Sequence, residues 1–344
     1  MSKLSTGGGR LAVVLLQLLI FYSPVALSEE AALSKEAEKS SEKLTKHRFS
    51  APHLGTMVHL VFYDEGRDHA AELAKKCFQR VKDLDAILSD YRADSELNQL
   101  CAKPIGVPHP VSRDLFTVIS FAQSVSAKSD GAFDITLGKE TKRWRRDSKN
   151  KSLSTEGKSE ASYRDLVLDA AGKKITLNKP LKIDLGGIGK GYIADQLMVV
   201  LKTAGIQHAA VIIGGETLLA AAPPGKKGWR IGVENPSREV VGRLVLEHTA
   251  LSTSGDSYQF FEANGERHAH VIDPSNKKSK TNRLNVTVMA VSSMQADCWA
   301  TALRVLPTEQ AAKLADQVPK LEALFIPFKK KPVKTKNFPC LENG

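Results

Sequence analysis

In the segment IDLGGIGKGYIADQL (183–197) an apolar run hands over to a helical pattern through four glycines and one lysine. A helix N-terminus carries unpaired backbone N–H groups and the positive end of the helix dipole. Glycines let an anion approach that backbone, and Lys190 adds a point charge. Together they compose a cradle for a phosphate or pyrophosphate. Neither common phosphate loop matches. Gly191, not Ser or Thr, follows Lys190, so there is no P-loop, and the spacing after Gly187 is GxGxG rather than GxGxxG. Tight strand–helix packing is the competing account of these glycines.

Four further clusters carry polar groups. In SSMQADCWATAL (292–303), Asp297 and Thr301 are four residues apart, which puts both on one face of a helix. A carboxylate and a hydroxyl are hard oxygen donors suited to Mg²⁺ or Ca²⁺, although for the pair in isolation an ordinary helix-face hydrogen bond is the better account. HAHVIDP (268–274) alternates so that His268 and His270 share a strand face, and an imidazole is the best base near neutral pH. SDGAFDITLG (129–138) reads as a turn capped by an Asp, or as a loop offering Asp134 and backbone groups to a ligand. LSDYRADSELNQL (88–100) brings Tyr91, a packing residue or a flat face for a ring system.

Positioning these groups requires both helices and strands. MVHLVFY (57–63) reads as a strand. Leu73, Cys77, Val81, Leu84 and Leu88 form one apolar helix stripe, and a second helix over 112–128 turns Leu115, Ile119, Ala122 and Val125 inward. After 166 short strands dominate (LVLD, KKITL, LKIDL, HAAVIIGG, WRIGVE, RLVLEH, HAHVID, NVTVMAV), interrupted by helices at 192–204, 293–305 and 308–317. Elements mix without strict alternation, so the expected class is α+β in one compact unit. Residues 139–163 show no periodicity and are expected as a basic surface insertion.

The chain has 344 residues, 42% hydrophobic and 25% charged, which are globular proportions. Aromatics at 6% argue against an aromatic-lined single-strand groove, and no nucleic-acid role is expected. The net charge of +11 is local: 139–151 holds seven basic against two acidic residues, and KKKPVKTK (329–336) holds five lysines. Both read as solvated segments, with docking to an acidic partner or a membrane surface as the alternative. At the N-terminus, Lys3 and Arg10 precede a twelve-residue apolar run (11–22), and small residues follow at Ala26-Leu27-Ser28. This predicts a secretory signal peptide, 1–28, followed by a charged spacer, 29–49. Cys77, Cys101, Cys298 and Cys340 form no CxxC and no zinc spacing, and buried free thiols are expected at Cys77 and Cys298.

The order of the blocks is more specific than any one of them. LGT (54–56), LSDYRADSELNQL, SDGAFDITLG, IDLGGIGKGY, IIGGE (212–216), WRIGVENP, STSGD (252–256), HVIDP and ADCWATAL together resemble the ApbE-type flavin transferases over roughly 50–326. The resemblance implies a T-fold-related α+β unit with mixed or antiparallel sheets and packed helices, here 50–328, followed by a basic tail, 329–344. It implies Mg²⁺-dependent cleavage of FAD and transfer of FMN to a Ser or Thr of an acceptor protein, with release of AMP. By the same resemblance, Asp297 and Thr301 are metal ligands, joined by the Gly187 carbonyl with Ala300 beside it. Leu54, Tyr91, Ala132, Phe133, Asp134, Asp184, Lys190 and His270 contact FAD. His270 and Asp256 are the candidates for moving the acceptor's proton. Acceptors in such a family resemble exported or membrane-bound redox subunits of quinone oxidoreductase and Rnf-type complexes, which places the expected protein in the periplasm. An FAD pyrophosphatase and a non-catalytic flavin binder are the alternative readings.

Overall fold

The computed structural model describes residues 43–154 and 159–342. The expected signal peptide and the spacer up to residue 42 lie outside the described residues. From Thr45 onward, eight strands form one antiparallel sheet in strict chain order: β1 (Thr45–His53), β2 (Thr56–Asp64), β3 (Ala209–Ile213), β4 (Glu216–Leu219), β5 (Thr249–Ser254), β6 (Leu284–Ala290), β7 (Glu322–Pro327) and β8 (Val333–Lys334). The long β2–β3 connection contains helices α1 (Arg67–Leu88), α2 (Glu96–Leu100), α3 (Arg113–Lys128), α4 (Gly138–Asn150) and α5 (Gly189–Thr203). Helices α6 (Ser293–Val305) and α7 (Thr308–Asp316) connect β6 to β7.

The pleat sorts the strands' side chains into two layers. Val58, Leu60 and Phe62 of β2, Val211 and Ile213 of β3, and Val286 and Val288 of β6 face the main core, with the buried stripes of α1 and α3 and with α5 and α6. Val61, Ala210, Leu219, Leu324 and Ile326 face the other way, under the hairpin formed by Trp229–Glu234 and Val240–Leu246. The apolar stripes of α1 and α3 are those the spacing predicts.

Four expectations change. The spacer ends earlier than 49, because Thr45–Phe49 belong to β1, an edge strand whose Phe49 stacks on Phe62 at 5.8 Å. The expected insertion 139–163 begins as helix α4. Its inward positions are Glu140 and Asp147, which accept from the backbone N–H groups of Ser159 (2.7 Å) and Ser154 (3.1 Å), so no apolar period marks it. LKIDL is irregular apart from a single parallel bridge, Leu137 to Lys182. The 329–344 tail is part of the fold through residue 342: β8 extends the sheet, and Phe338 is buried against its outer face.

Candidate active site

The glycine turn meets the acidic helix at the α5–α6 junction. A Cβ on Gly191 would lie 2.3 Å from the Ser293 carbonyl oxygen and 2.8 Å from Asp297 Cβ, so only glycine allows this approach. The Gly191 N–H donates to Asp297 Oδ2 at 3.0 Å. Asp195 completes the joint: its carboxylate accepts from the N–H groups of Ser293 (2.7 Å) and Met294 (2.9 Å), satisfying the α6 N-terminus. One turn further on, a Cβ on Gly187 would lie 2.9 Å from Thr301 Oγ1. The structure therefore brings Gly187, Asp297 and Thr301 together. Ala300 is wholly enclosed in the apolar core, and its methyl group offers no donor atom.

Glu216, the first residue of β4, enters the same place beyond the tight Gly214-Gly215 turn. Lys190 Nζ lies 3.2 Å from Glu216 Oε1 and donates to the Gly186 carbonyl at 3.1 Å. Glu216 Oε2 is buried without a partner among the described residues. Burial pushes the Glu216 carboxyl up to about 8, against Lys190 and reinforced by Asp297. Burial also raises Asp297, against the pull of Lys190 and the Gly191 N–H. Burial opposes the charge on Lys190, but Asp297, Glu216 and Asp184 hold its ammonium above the usual range.

Asp184 links this centre to a second one. Its Oδ1 accepts from the Gly186 N–H at 2.6 Å, and its Oδ2 pairs with Arg145 Nη2 at 3.0 Å. The other arm of Arg145 pairs with Asp90 Oδ2 at 2.5 Å, and its guanidinium carbon lies 4.0 Å from the Tyr91 ring centre. Tyr91 itself is 76% exposed. Arg145 is thus turned inward, which corrects the reading of this part of the chain as a purely outward basic segment. The linked site holds Asp90, Asp184, Glu216 and Asp297 against Arg145 and Lys190, an excess of two negative charges when all are ionised.

His270 sits in the break between the strands Glu266–Ala269 and Ile272–Asp273, not within one strand. Its Nδ1 lies 3.2 Å from the Gln259 carbonyl, which only accepts, so Nδ1 carries the proton and Nε2 is the basic nitrogen. Burial, with Lys190 and Arg304 nearby, pushes the ring down to about 4. Trp144 of α4 packs edge-on to it, and Phe261 bridges Trp144 to a buried, stacked His268.

Asp256 is placed differently from the expectation of a base. It is 1% exposed and ion-paired to Arg267 (2.9 Å), so its charge is neutralised inside its own loop. Asp134 likewise serves its surroundings: Oδ1 accepts from the Thr136 N–H and hydroxyl, and Oδ2 from the Tyr163 N–H. This is the capped-turn reading of SDGAFDITLG. Ala132 and Phe133 are buried beside it. Leu54 occupies the β1–β2 turn with φ 55°, followed by Gly55 at 70°, the backbone of a type I′ turn. The next residue, Thr56, comes near Glu216: a Cβ on Gly214 would lie 3.5 Å from Thr56 Oγ1 and 3.7 Å from Glu216 Oε2.

Sequence reasoning did not place Glu216, Asp90, Arg145 or Trp144 in the site. Glu216 and Asp90 lie inside the quoted blocks IIGGE and LSDYR, and the signal available was a carboxylate beside glycines or beside Tyr91. Among the described residues, no three His, Cys, Asp or Glu side chains form a metal cluster. A cation at Asp297 would therefore draw on hydroxyl and backbone oxygens.

The model of the ApbE family matches residues 54–325. An FAD:protein FMN transferase of Haemophilus influenzae is 30% identical over 306 residues, covering 83% of this chain and 87% of its own. One from Vibrio cholerae is also 30% identical, over 297 residues, covering 83% and 88%. Among solved structures, the apo flavinyl transferase ApbE of Pseudomonas stutzeri superposes with a TM-score of 0.75 at 27% identity, covering 85% of this chain and 95% of that one.

Proposed function

The chain belongs to the ApbE family, and on that premise we propose that it is an FAD:protein FMN transferase. It splits FAD at the pyrophosphate and joins the FMN half to a Ser or Thr hydroxyl of an acceptor protein. The observation that carries this reading is the α5–α6 junction, where helix-end amides and Lys190 meet Asp297, Thr301 and the Gly187 backbone.

The residues present fit a divalent cation. At the junction two buried carboxyl groups, Glu216 and Asp297, face the single ammonium of Lys190, and Glu216 Oε2 is without a partner among the described residues. Mg²⁺ would be held by Asp297, Thr301 Oγ1 and the Gly187 carbonyl, and when bound it supplies neutralisation of the phosphate charge. The chain's own groups do the rest. Lys190 and the positive end of the α5 dipole draw the pyrophosphate into place. The acceptor oxygen attacks the phosphorus of the FMN half, and its proton passes to His270 Nε2. The bond from that phosphorus to the bridging oxygen breaks, and AMP leaves with that oxygen. A neutral His270 with Nδ1 already protonated is in the state this transfer needs.

Export to the periplasm, with redox subunits of quinone oxidoreductase or Rnf type as acceptors and the membrane surface as the meeting place, extends the proposal. The pattern of residues 1–28 supports it, and N-terminal sequencing of the secreted chain tests it.

The central experiment mixes residues 29–344 with FAD, Mg²⁺ and an acceptor domain, and follows acceptor mass and AMP, with and without EDTA. An EDTA-sensitive gain of one FMN is expected, and Asp297→Ala should abolish it. Release of free FMN and AMP with several unmodified acceptors would replace the transferase with a pyrophosphatase. Intact bound FAD would reduce it to a binder.

A further inference from the structure

Three segments far apart in sequence meet on one guanidinium. Asp90 and Tyr91 follow α1, Arg145 belongs to α4, and Asp184 opens the glycine turn before α5. The two arms of Arg145 grip Asp90 (2.5 Å) and Asp184 (3.0 Å), both carboxylates less than a tenth exposed. Asp184 in turn holds the Gly186 N–H at 2.6 Å. The carbon of the same guanidinium lies over the Tyr91 ring, 4.0 Å from its centre, while Tyr91 remains 76% exposed. One side of an otherwise open aromatic ring is therefore backed by a fixed cation, and through Asp184 the cation is fixed to the glycine turn before α5.

From this geometry we infer that Arg145 is a positioning residue for FAD, setting the distance between the Tyr91 ring platform and the anion-holding turn at Gly186–Lys190. The inference rests on the FAD reading above. FAD carries a ring system at each end of a chain whose middle is a pyrophosphate, so a ring and the pyrophosphate must be caught together. Binding both parts at once gains affinity only when the two subsites are held at the matching separation. A guanidinium suits the task because it is planar, forks to two carboxylates and stacks on an aromatic face, whereas an ammonium does not combine these contacts. The role is distinct from neutralising charge. Arg145→Lys keeps the charge and loses the fork, whereas Arg145→Ala loses both.

The test titrates the full mature chain with FAD, riboflavin and inorganic pyrophosphate in the presence of Mg²⁺, by calorimetry and flavin fluorescence. In Arg145→Lys and Arg145→Ala, FAD affinity should fall about tenfold while riboflavin and inorganic pyrophosphate each change less than about threefold. In turnover, the same variants should raise KM for FAD. Tyr91→Ala should weaken FAD binding in the wild-type background and have little further effect in Arg145→Ala. A residue that only braces α4 would lower the melting temperature and shift all three ligands alike, and that result would overturn the inference. Wild-type affinity for FAD in Arg145→Lys, or strict additivity with Tyr91→Ala, would also overturn it. These outcomes are separable from failure of the transferase reading, because wild-type protein that does not bind FAD defeats both, and loss of coupling needs no acceptor. Should Arg145→Ala fail to fold, Arg145→Lys and Asp90→Asn, which removes one arm's charge partner, carry the same comparison.

Discussion

At His270 the hydrogen bond to the Gln259 carbonyl sets the tautomer, and burial sets the charge. With the ring pushed down from 6.5 to about 4, it stays a neutral base through the whole range near pH 7. The transfer rate should therefore show no acid limb near 6.5. The limb belonging to this ring should fall near 4 and disappear in His270→Asn, which a pH–rate profile would check. The stability effect has the same direction. Between about 6.5 and 4 the unfolded chain takes up a proton that the folded chain refuses, so stability present above 6.5 is lost as pH falls through that window. Chemical denaturation at pH 7 and pH 5 should show a smaller loss in His270→Asn than in wild type. Asp256 gives the opposite case. As one partner of a buried ion pair with Arg267, Asp256→Ala should cost about 3 kcal/mol of stability by stranding the arginine. Asp256 is not the base in this account, so folded Asp256→Asn should retain transfer activity. A rate lost to the same degree as in His270→Asn would return Asp256 to the proton path.

At the scale of elements, the site is a joint between α5 and α6, and glycine makes the joint close. Gly191→Ala would push a methyl group to within 2.3 Å of the Ser293 carbonyl and 2.8 Å of Asp297 Cβ. Since the obstacle is partly helix backbone, the helices must separate. A loss of about 3 kcal/mol in unfolding free energy is expected, with weakened Mg²⁺ binding measured by calorimetry. Asp195→Ala leaves two N–H groups at the α6 start without their acceptor and should cost about 2 kcal/mol. Its burden falls on the joint's stability, whereas Asp297→Ala should remove activity in a protein that still melts cooperatively. The α4 helix illustrates why element prediction failed there. Helix periodicity is normally read from apolar residues, and α4 turns Glu140, Asp147 and Arg145 inward on specific polar partners.

Across the whole molecule, the antiparallel sheet separates two apolar layers. The layer away from the helices is closed by the hairpin 229–246 and by Phe338 of the tail. The family match ends at 325, yet β8 and Phe338 lie beyond it. Phe338→Ala should cost about 3–5 kcal/mol, and removal of 329–344 should leave the sheet's outer face exposed to water. Thermal melts of both variants, with bis-ANS binding to report the bared face, would check this. A tail that merely hangs in solvent would leave both signals unchanged.

The sequence alone determined the apolar stripes of α1 and α3, most strands, the α5 and α6 positions and the glycine-rich turn, because each leaves a short-range period or a punctuating residue. It also brought out Asp297 with Thr301, Lys190 and His270, because their spacing within one segment already implies a shared face or a helix end. What only the tertiary structure decided is which charges meet across segments. Glu216 against Lys190, Arg145 between Asp90 and Asp184, and Asp256 against Arg267 join residues 26, 55, 39 and 11 positions apart. No local period encodes such pairs. Their partners are set by sheet order and helix docking, and only burial turns a carboxylate in a list of acidic residues into a brace, a base or a ligand.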